Sequence, residues 1–332
     1  MLIEAFSEGK NPSAPHANED QLVILPGRAF AVIDGVTDRL GTRYDGMLSG
    51  QYAAVTVKRA LEHLLSAPDA DMDGIAIVRA LTAEVAAAYK AHGMAEKVQK
   101  DWNLRLSAAL ALVLVQAETV DVILVGDSGV RINGEHVLRM EKDLDLITSI
   151  LRRQAWPVIG RKTADPEKQE QISRRVTWHG TRQSLEMVAD TLDADDMALI
   201  ERLAIEANIE ALPHVTQADI ENLVRGGIVN AQGGYQNNAS LQLGYPCIDG
   251  FEVPQHMIKI ERFPRAEVET VEIYSDGYFK LGDEFGVAAW EKAFAEAERD
   301  DPAKIRLYSS PKGSTASLWA DDRTYLAVRF RN

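Results

Sequence analysis

The sequence predicts an α+β fold. Strand-length apolar runs come first, two helical patterns interrupt them, and strands then return, which is not the strict alternation of a parallel α/β sheet. A hairpin signal agrees: Asn133-Gly134 lies between Val130-Arg131-Ile132 and His136-Val137-Leu138, and Asn-Gly between two short runs marks an antiparallel turn. A third regularity bears on function. Phe30 to Ile33 runs into Asp34-Gly35, Val122 to Val125 into Gly126-Asp127, and Val271 to Tyr274 into Ser275-Asp276-Gly277, while Asp321-Asp322 stands just before Tyr325 to Val328. Taken singly, such an aspartate reads as a turn former. Several strand-end carboxylates, far apart in the chain, suit a multi-metal site with oxygen ligands.

In chain order, residues 1–20 are polar and read as loop. Gln21 to Leu25 reads as a strand, Pro26-Gly27 as a turn, and 29–33 as the strand that delivers Asp34. The loop from Val36 to Leu48 carries Asp38, Arg39, Arg43 and Asp45. Ser49 is the expected N-cap of a helix whose Ala53, Val57, Ala60, Leu61 and Leu64 share one face. Asp73 is the expected cap of a second, with Val78, Leu81, Val85 and Ala88 aligned, and the two should pack together on one side of a sheet. Strands follow at 109–115 and 120–125.

From 141 to 230 the texture changes. Charges are dense, and helical spacing recurs at Leu144, Ile147, Ile150 and Leu151, at Met197, Ile200, Leu203 and Ala204, and at Ile220, Leu223 and Val224. This predicts a mostly helical subdomain broken by Pro157, Pro166 and Pro213 and ended by the Gly-Gly pairs at 226–227 and 233–234. Strands return at 257–262 and 269–274. A helix is expected around 284–298 and a final alternating strand over 324–330.

Composition bounds the function. The chain has 332 residues, 46% of them hydrophobic, enough for a substantial core. Its net charge of −14, with no basic cluster, argues against a nucleic-acid partner. Anionic substrates stay open, because metal ions supply local positive charge. Cys247 is the single cysteine, which allows no intrachain disulfide and fits a reducing compartment. No signal peptide is recognisable, and no apolar run approaches the ~20 residues that span a bilayer. The expectation is a soluble cytoplasmic protein with no membrane partner. Paired zinc-ligand spacings and a GxxxxGK[ST] phosphate loop are both absent from the sequence.

Asn18-Glu19-Asp20, Asp34-Gly35, Gly126-Asp127-Ser128, Ser275-Asp276-Gly277 and Asp321-Asp322-Arg323-Thr324 occur in the order of the motifs of the PP2C-type metal-dependent protein phosphatases, each beside an apolar run. The chain resembles that family over roughly residues 15 to 330, with a longer central segment. The resemblance implies two antiparallel sheets packed as a β-sandwich and flanked by helix pairs. It implies one catalytic domain over 1–332, with 141–230 as a helical insertion or flap within it. It also implies two Mn²⁺ or Mg²⁺ ions bridged by Asp34, with the Gly35 carbonyl on the first and Asp276 and Asp321 on the second. Glu19 and Asp20 would hold metal-bound waters, and Asp127 with Asp276 would offer a third ion position. Asp34, Asp20 and Glu19 are then the expected catalytic residues.

Two departures stand out. Pro15 occupies the place where the family often has a phosphate-clamping arginine, and Val36 the place where many eukaryotic members have a histidine. Arg39, Arg43 and His16 are the candidates for phosphate binding, the alternative being solvated loop charges paired with Asp38 or Asp45. The expected function is hydrolysis of phosphate monoesters, on a phosphorylated protein or a small phosphorylated metabolite. The alternative is an inactive binding or regulatory module of the same fold.

Overall fold

The computed structural model describes residues 1–37, 39–67 and 72–330; Asp38 lies outside the described residues. In chain order the strands and helices are β1 (Leu2–Glu8), β2 (Gln21–Leu25), β3 (Ala29–Gly35), β4 (Arg43–Tyr44), β5 (Met47–Leu48), α1 (Ser49–Ser66), α2 (Gly74–Ala91) and α3 (Lys97–Lys100). Then come β6 (Ala108–Val115), β7 (Thr119–Val125), β8 (Gly129–Ile132), β9 (His136–Leu138), α4 (Asp143–Gly160), α5 (Pro166–Met187), α6 (Ala194–Ala211) and α7 (Gln217–Ala231). The chain closes with β10 (Lys259–Pro264), β11 (Thr270–Tyr274), α8 (Val287–Asp300) and β12 (Arg323–Arg329).

Apart from β4 and β5, which pair only with each other, the strands form two five-stranded antiparallel sheets, in the orders β1-β12-β11-β8-β9 and β10-β7-β6-β3-β2, as the α+β reading requires. Alternation along each strand decides which core a side chain enters. On β3, Phe30 and Val32 point between the sheets and meet Ala111, Val113, Val122 and Leu124, with Val271, Ile273, Leu326 and Val328 from the other sheet. Ala29, Ala31 and Ile33 point outward and are covered by Val57 and Leu61 of α1 and Ile77, Leu81 and Val85 of α2. The valine, leucine, isoleucine and phenylalanine side chains among these each stabilise the fold by roughly 1.5–3 kcal/mol when fully buried, so β3, closed on both faces, is fixed in register.

The outer face of the first sheet is covered by α8. Trp290 is fully buried against Tyr274 and Tyr325. Beneath it Glu272 accepts from Arg131 Nε at 2.6 Å and Nη2 at 2.8 Å, from Trp290 Nε1 at 2.8 Å and from the Tyr325 hydroxyl at 2.7 Å. This buried charge is tolerated because both of its oxygens are engaged.

Helices α4 to α7 share an apolar core of their own, including Leu144, Ile147, Leu151, Val176, Ile200 and Val224. Pro157 sits inside α4 and does not break it. Pro157 and Arg153, whose carbonyl loses a hydrogen bond, are both exposed residues, so the proline sits on the solvent side of the helix, where such a loss costs least. Pro166 opens α5 at its first helical position, with Asp165 accepting from Glu167 N–H at 3.0 Å.

Beside the unbroken helix at Pro157, three further expectations need correction. Residues 2–8 are not loop but an edge strand, half-exposed and paired to β12, so its alternation is too weak to read locally. Ser49 is the first helical residue, and Leu48 before it offers no side-chain cap. Gly226-Gly227 does not end the helical subdomain, since α7 runs on to Ala231: Gly227 (φ 64°) is a kink inside α7, facing the Gly180 kink (φ 73°) inside α5. There the two backbones touch. A Cβ on Gly227 would collide with Gly180 N and lie 2.7 Å from the Thr177 carbonyl oxygen.

That contact yields a test. Gly227→Ala adds a left-handed penalty to a backbone clash that no side-chain rotation relieves. It should destabilise the protein by roughly 2 kcal/mol or more, read as a lowered denaturation midpoint. An unchanged midpoint would mean that the α5–α7 crossing is not close-packed.

Candidate metal centre

Strand direction and pairing gather the predicted carboxylates at one end of the sandwich. Asp34 continues the inward series Phe30, Val32 at the end of β3, where it pairs in register with Ala109 at the start of β6. Asp127 follows β7, Asp276 follows β11, and Asp321-Asp322 precedes β12, whose Tyr325 is paired with Tyr274. Glu19 and Asp20 enter from the turn before β2. Gly35 lets the chain pass close by: a Cβ there would meet the carbonyl oxygens of Gly50 and Glu19.

The residues open into a cleft of about 480 Å³. Asp34, Gly35, Asp127, Asp276 and Asp321 line it. Arg39, Arg139, Lys142 and Lys312 contribute positive charge, and Leu146, Trp178, Ile228 and Leu307 an apolar wall. The kinks in α5 and α7 thus bring Trp178 and Ile228, from either side of the crossing, to the rim.

The electrostatics follow from crowding. Burial and the charges of Asp276, Asp20, Asp127 and Asp321 push the Asp34 carboxyl well above the usual range. Burial, then Asp321 and Asp127, push Asp276 up to about 7. Asp20 is raised by burial and Asp322. Glu19 is raised by burial although Lys10 pulls it back. Asp321 and Asp127 go the other way: burial opposes their ionisation, but Lys312 and Lys10 beside the first, and Lys142 beside the second, hold them below the ordinary value.

Those lysines are the part of the site that sequence reasoning missed. Lys10 Nζ pairs with Glu19, lies 3.0 Å from Asp322 Oδ2 and 3.8 Å from Asp321 Oδ1. Lys312 Nζ is 2.6 Å from Asp321 Oδ2, and Lys142 Nζ is 2.7 Å from Asp127 Oδ2. No motif marks them: Lys10 and Glu19 are close in the chain, as are Lys312 and Asp321, but neither spacing lies on one face of a helix or strand.

The candidate phosphate ligands separate. Arg39 lines the cleft, and its Nε is buried with no hydrogen-bond partner. Arg43 and His16 do not line it. Arg43 closes the β4–β5 hairpin by donating to the Gly46 carbonyl at 2.6 Å, and His16 is exposed in the 3-10 turn Pro15–Ala17.

Among the described residues, no three His, Cys, Asp or Glu side chains close on one point as a finished cage. The chemistry nevertheless fits. The Asp34 and Asp276 carboxylates have no hydrogen bond or ion pair among the described residues. Glu19 Oε1 and Asp20 Oδ2 are buried without a donor. Unpaired carboxylate oxygens in a cleft suit hard divalent cations and the waters they carry.

No family model matches this chain, and no curated protein does. The structure is similar to those of bacterial serine/threonine phosphatases. The phosphatase Stp1 from Staphylococcus aureus is 10% identical, with 100% of this chain and 96% of that chain covered and a TM-score of 0.47. The Mycobacterium tuberculosis phosphatase PstP/Ppp is 15% identical, with 100% and 99% covered and a TM-score of 0.44. The catalytic domain of PstP in complex with two manganese ions is 15% identical, with 98% and 96% covered and a TM-score of 0.43.

The raised Asp276 sets a pH dependence with a definite sign. Its folded value of about 7 exceeds the ordinary 3.8, so between those values the native state holds a proton that the unfolded chain has released. This group therefore makes the ion-free protein less stable as pH rises through that window. Relative to Asp276→Asn, wild type should lose melting temperature as pH rises from about 4 to about 7. Near neutral pH, millimolar Mn²⁺ should raise the wild-type melting temperature more than the variant's. A difference that does not change with pH would show that Asp276 is not crowded by its neighbours.

Proposed function

We propose that this chain is a metal-dependent phosphatase that hydrolyses phosphate monoesters, on a phosphorylated protein or a small phosphorylated metabolite. The observation that carries the reading is the unpaired Asp34 and Asp276 carboxylates, held among further acids at the floor of a cleft with cationic walls. Asp34, the Gly35 carbonyl, Asp276 and Asp321 would hold two Mn²⁺ or Mg²⁺ ions, with Asp127 and Asp276 at a third position. When bound, such ions bind phosphoryl oxygens and lower the pKa of water.

The chain's own residues do the rest. Glu19 and Asp20 offer buried acceptor oxygens that orient water. Arg39 supplies a guanidinium to the substrate's charge in place of the arginine absent at position 15. Residues 141–230 act as an insertion within one catalytic domain over 1–332 and narrow the cleft with Trp178 and Ile228. Among the described residues no helix is long and apolar enough to cross a membrane, and a cytoplasmic site of action belongs to this proposal.

A second reading, an inactive binding or regulatory module, is favoured by one observation. Lysine ammonium groups already engage Glu19, Asp127 and Asp321. Hydrolysis of p-nitrophenyl phosphate separates the two readings. The phosphatase should turn over with Mn²⁺ and stop with EDTA. Asp34→Asn, which should keep the fold and remove one carboxylate charge from the centre, should lower the rate by roughly a hundredfold or more. No turnover in wild type with either metal would favour the module, and full activity in Asp34→Asn would remove Asp34 from the centre.

A further inference from the structure

The loop between α8 and β12 is held in place by the helices α4 and α5. Arg152 of α4 is fully buried. Its Nη1 donates to the carbonyl oxygens of Ala303 at 2.8 Å, Ser310 at 3.1 Å and Lys304 at 3.3 Å. Its Nη2 pairs with Glu170 of α5, whose other oxygen accepts from Gly313 N–H at 2.9 Å. From the loop's own side, Asp301 accepts from the backbone N–H groups of Ile305, Arg306, Leu307 and Tyr308. Residues 303–313 are thereby fixed at both edges.

This attachment is more than helix packing requires. Helices α4 to α7 have an apolar core, and a buried ion pair adds little net stability because both charges lose their water. The bonds of Arg152 and Glu170, apart from the one they share, go to the loop backbone. Among the residues this loop presents to the cleft, Lys312 carries the charge. Its side chain is nearly buried, with Nζ 2.6 Å from Asp321 Oδ2 and 3.2 Å from Thr37 Oγ1. An ammonium has three N–H donors, so one is left over beside the carboxylates. Thr37 cannot give more: its hydroxyl also accepts from Lys10 at 3.2 Å and donates to Glu19 at 3.3 Å.

We propose that Lys312 binds a phosphoryl oxygen of the substrate, and that Arg152 and Glu170 are the positioning residues through which the helical unit delivers it. The proposal rests on the phosphatase reading and deepens it. A sheltered ammonium with a spare donor is a point-charge phosphate ligand. Its reach is set by a loop that the two sheets do not themselves hold, so the helical unit becomes part of substrate recognition.

The test reads phosphate binding apart from turnover. Calorimetry with inorganic phosphate and Mg²⁺ gives Kd, and p-nitrophenyl phosphate with Mn²⁺ gives KM and kcat. Lys312→Gln should raise both Kd and KM by roughly tenfold with a smaller change in kcat, and Lys312→Arg should recover most of the loss. Arg152→Met with Glu170→Met removes both buried charges together. It should weaken phosphate binding by a similar factor, and adding Lys312→Gln should then cost little more. Glu170→Gln serves if the double variant does not fold, with a smaller loss of the same sign. Unchanged phosphate affinity in Lys312→Gln, or no phosphate binding by wild type, overturns the proposal. Additive losses overturn the positioning role of Arg152 and Glu170. Absent turnover in wild type bears on the phosphatase reading alone, because Kd is measured without it.

Discussion

Mutual repulsion among carboxylates is the constraint that the structure is arranged around. Asp34 feels Asp276, Asp20, Asp127 and Asp321 at once. In a partly water-excluded cleft such charges are poorly screened, so the fold must hold them against their own field. It does so with rigid strands. β3 is sealed between the sandwich core on one face and α1 and α2 on the other, which fixes the backbone from which Asp34 projects.

Neutralisation comes from three separate parts of the chain. Lys10 follows β1, Lys142 precedes α4, and Lys312 comes from the loop before β12. Each takes some of the acids and leaves others. Asp321 and Asp127 are held ionised, while Asp34 and Asp276 remain unpaired with raised pKa values. That division is chemically useful. Pairing favours the charged form of the first two acids, and a cation would relieve the unpaired ones most.

The helical unit enters through the same logic. Its kinked helices meet backbone to backbone at Gly180 and Gly227, which brings Trp178 and Ile228 to the cleft wall. Its one deeply buried ion pair, Arg152 with Glu170, is turned toward the loop that carries Lys312. A segment that the sequence shows only as extra helices is therefore tied to the charge balance of the site.

What was legible in the sequence was local. An apolar run of strand length closing on Asp-Gly marks a strand-end carboxylate without reference to any other residue, and this held for Asp34 and Asp276. Helical spacing at Leu144, Ile147 and Leu151 needed no partner either. Strand β1 was not legible, because an edge strand buries too little to show its alternation. The Gly226-Gly227 pair looked like a turn, because only the approach of Gly180 from another helix explains it. The lysines carry no local signature, whether the partner is near in the chain, as Glu19 is to Lys10, or far. Lys10 meets Asp322 across 312 positions and Lys312 meets Thr37 across 275. The sequence by itself determined which acids stand at strand ends. Only the tertiary structure decided which of them are paired and which are left open, because a salt bridge depends on distance in space, and closing the sandwich sets that distance.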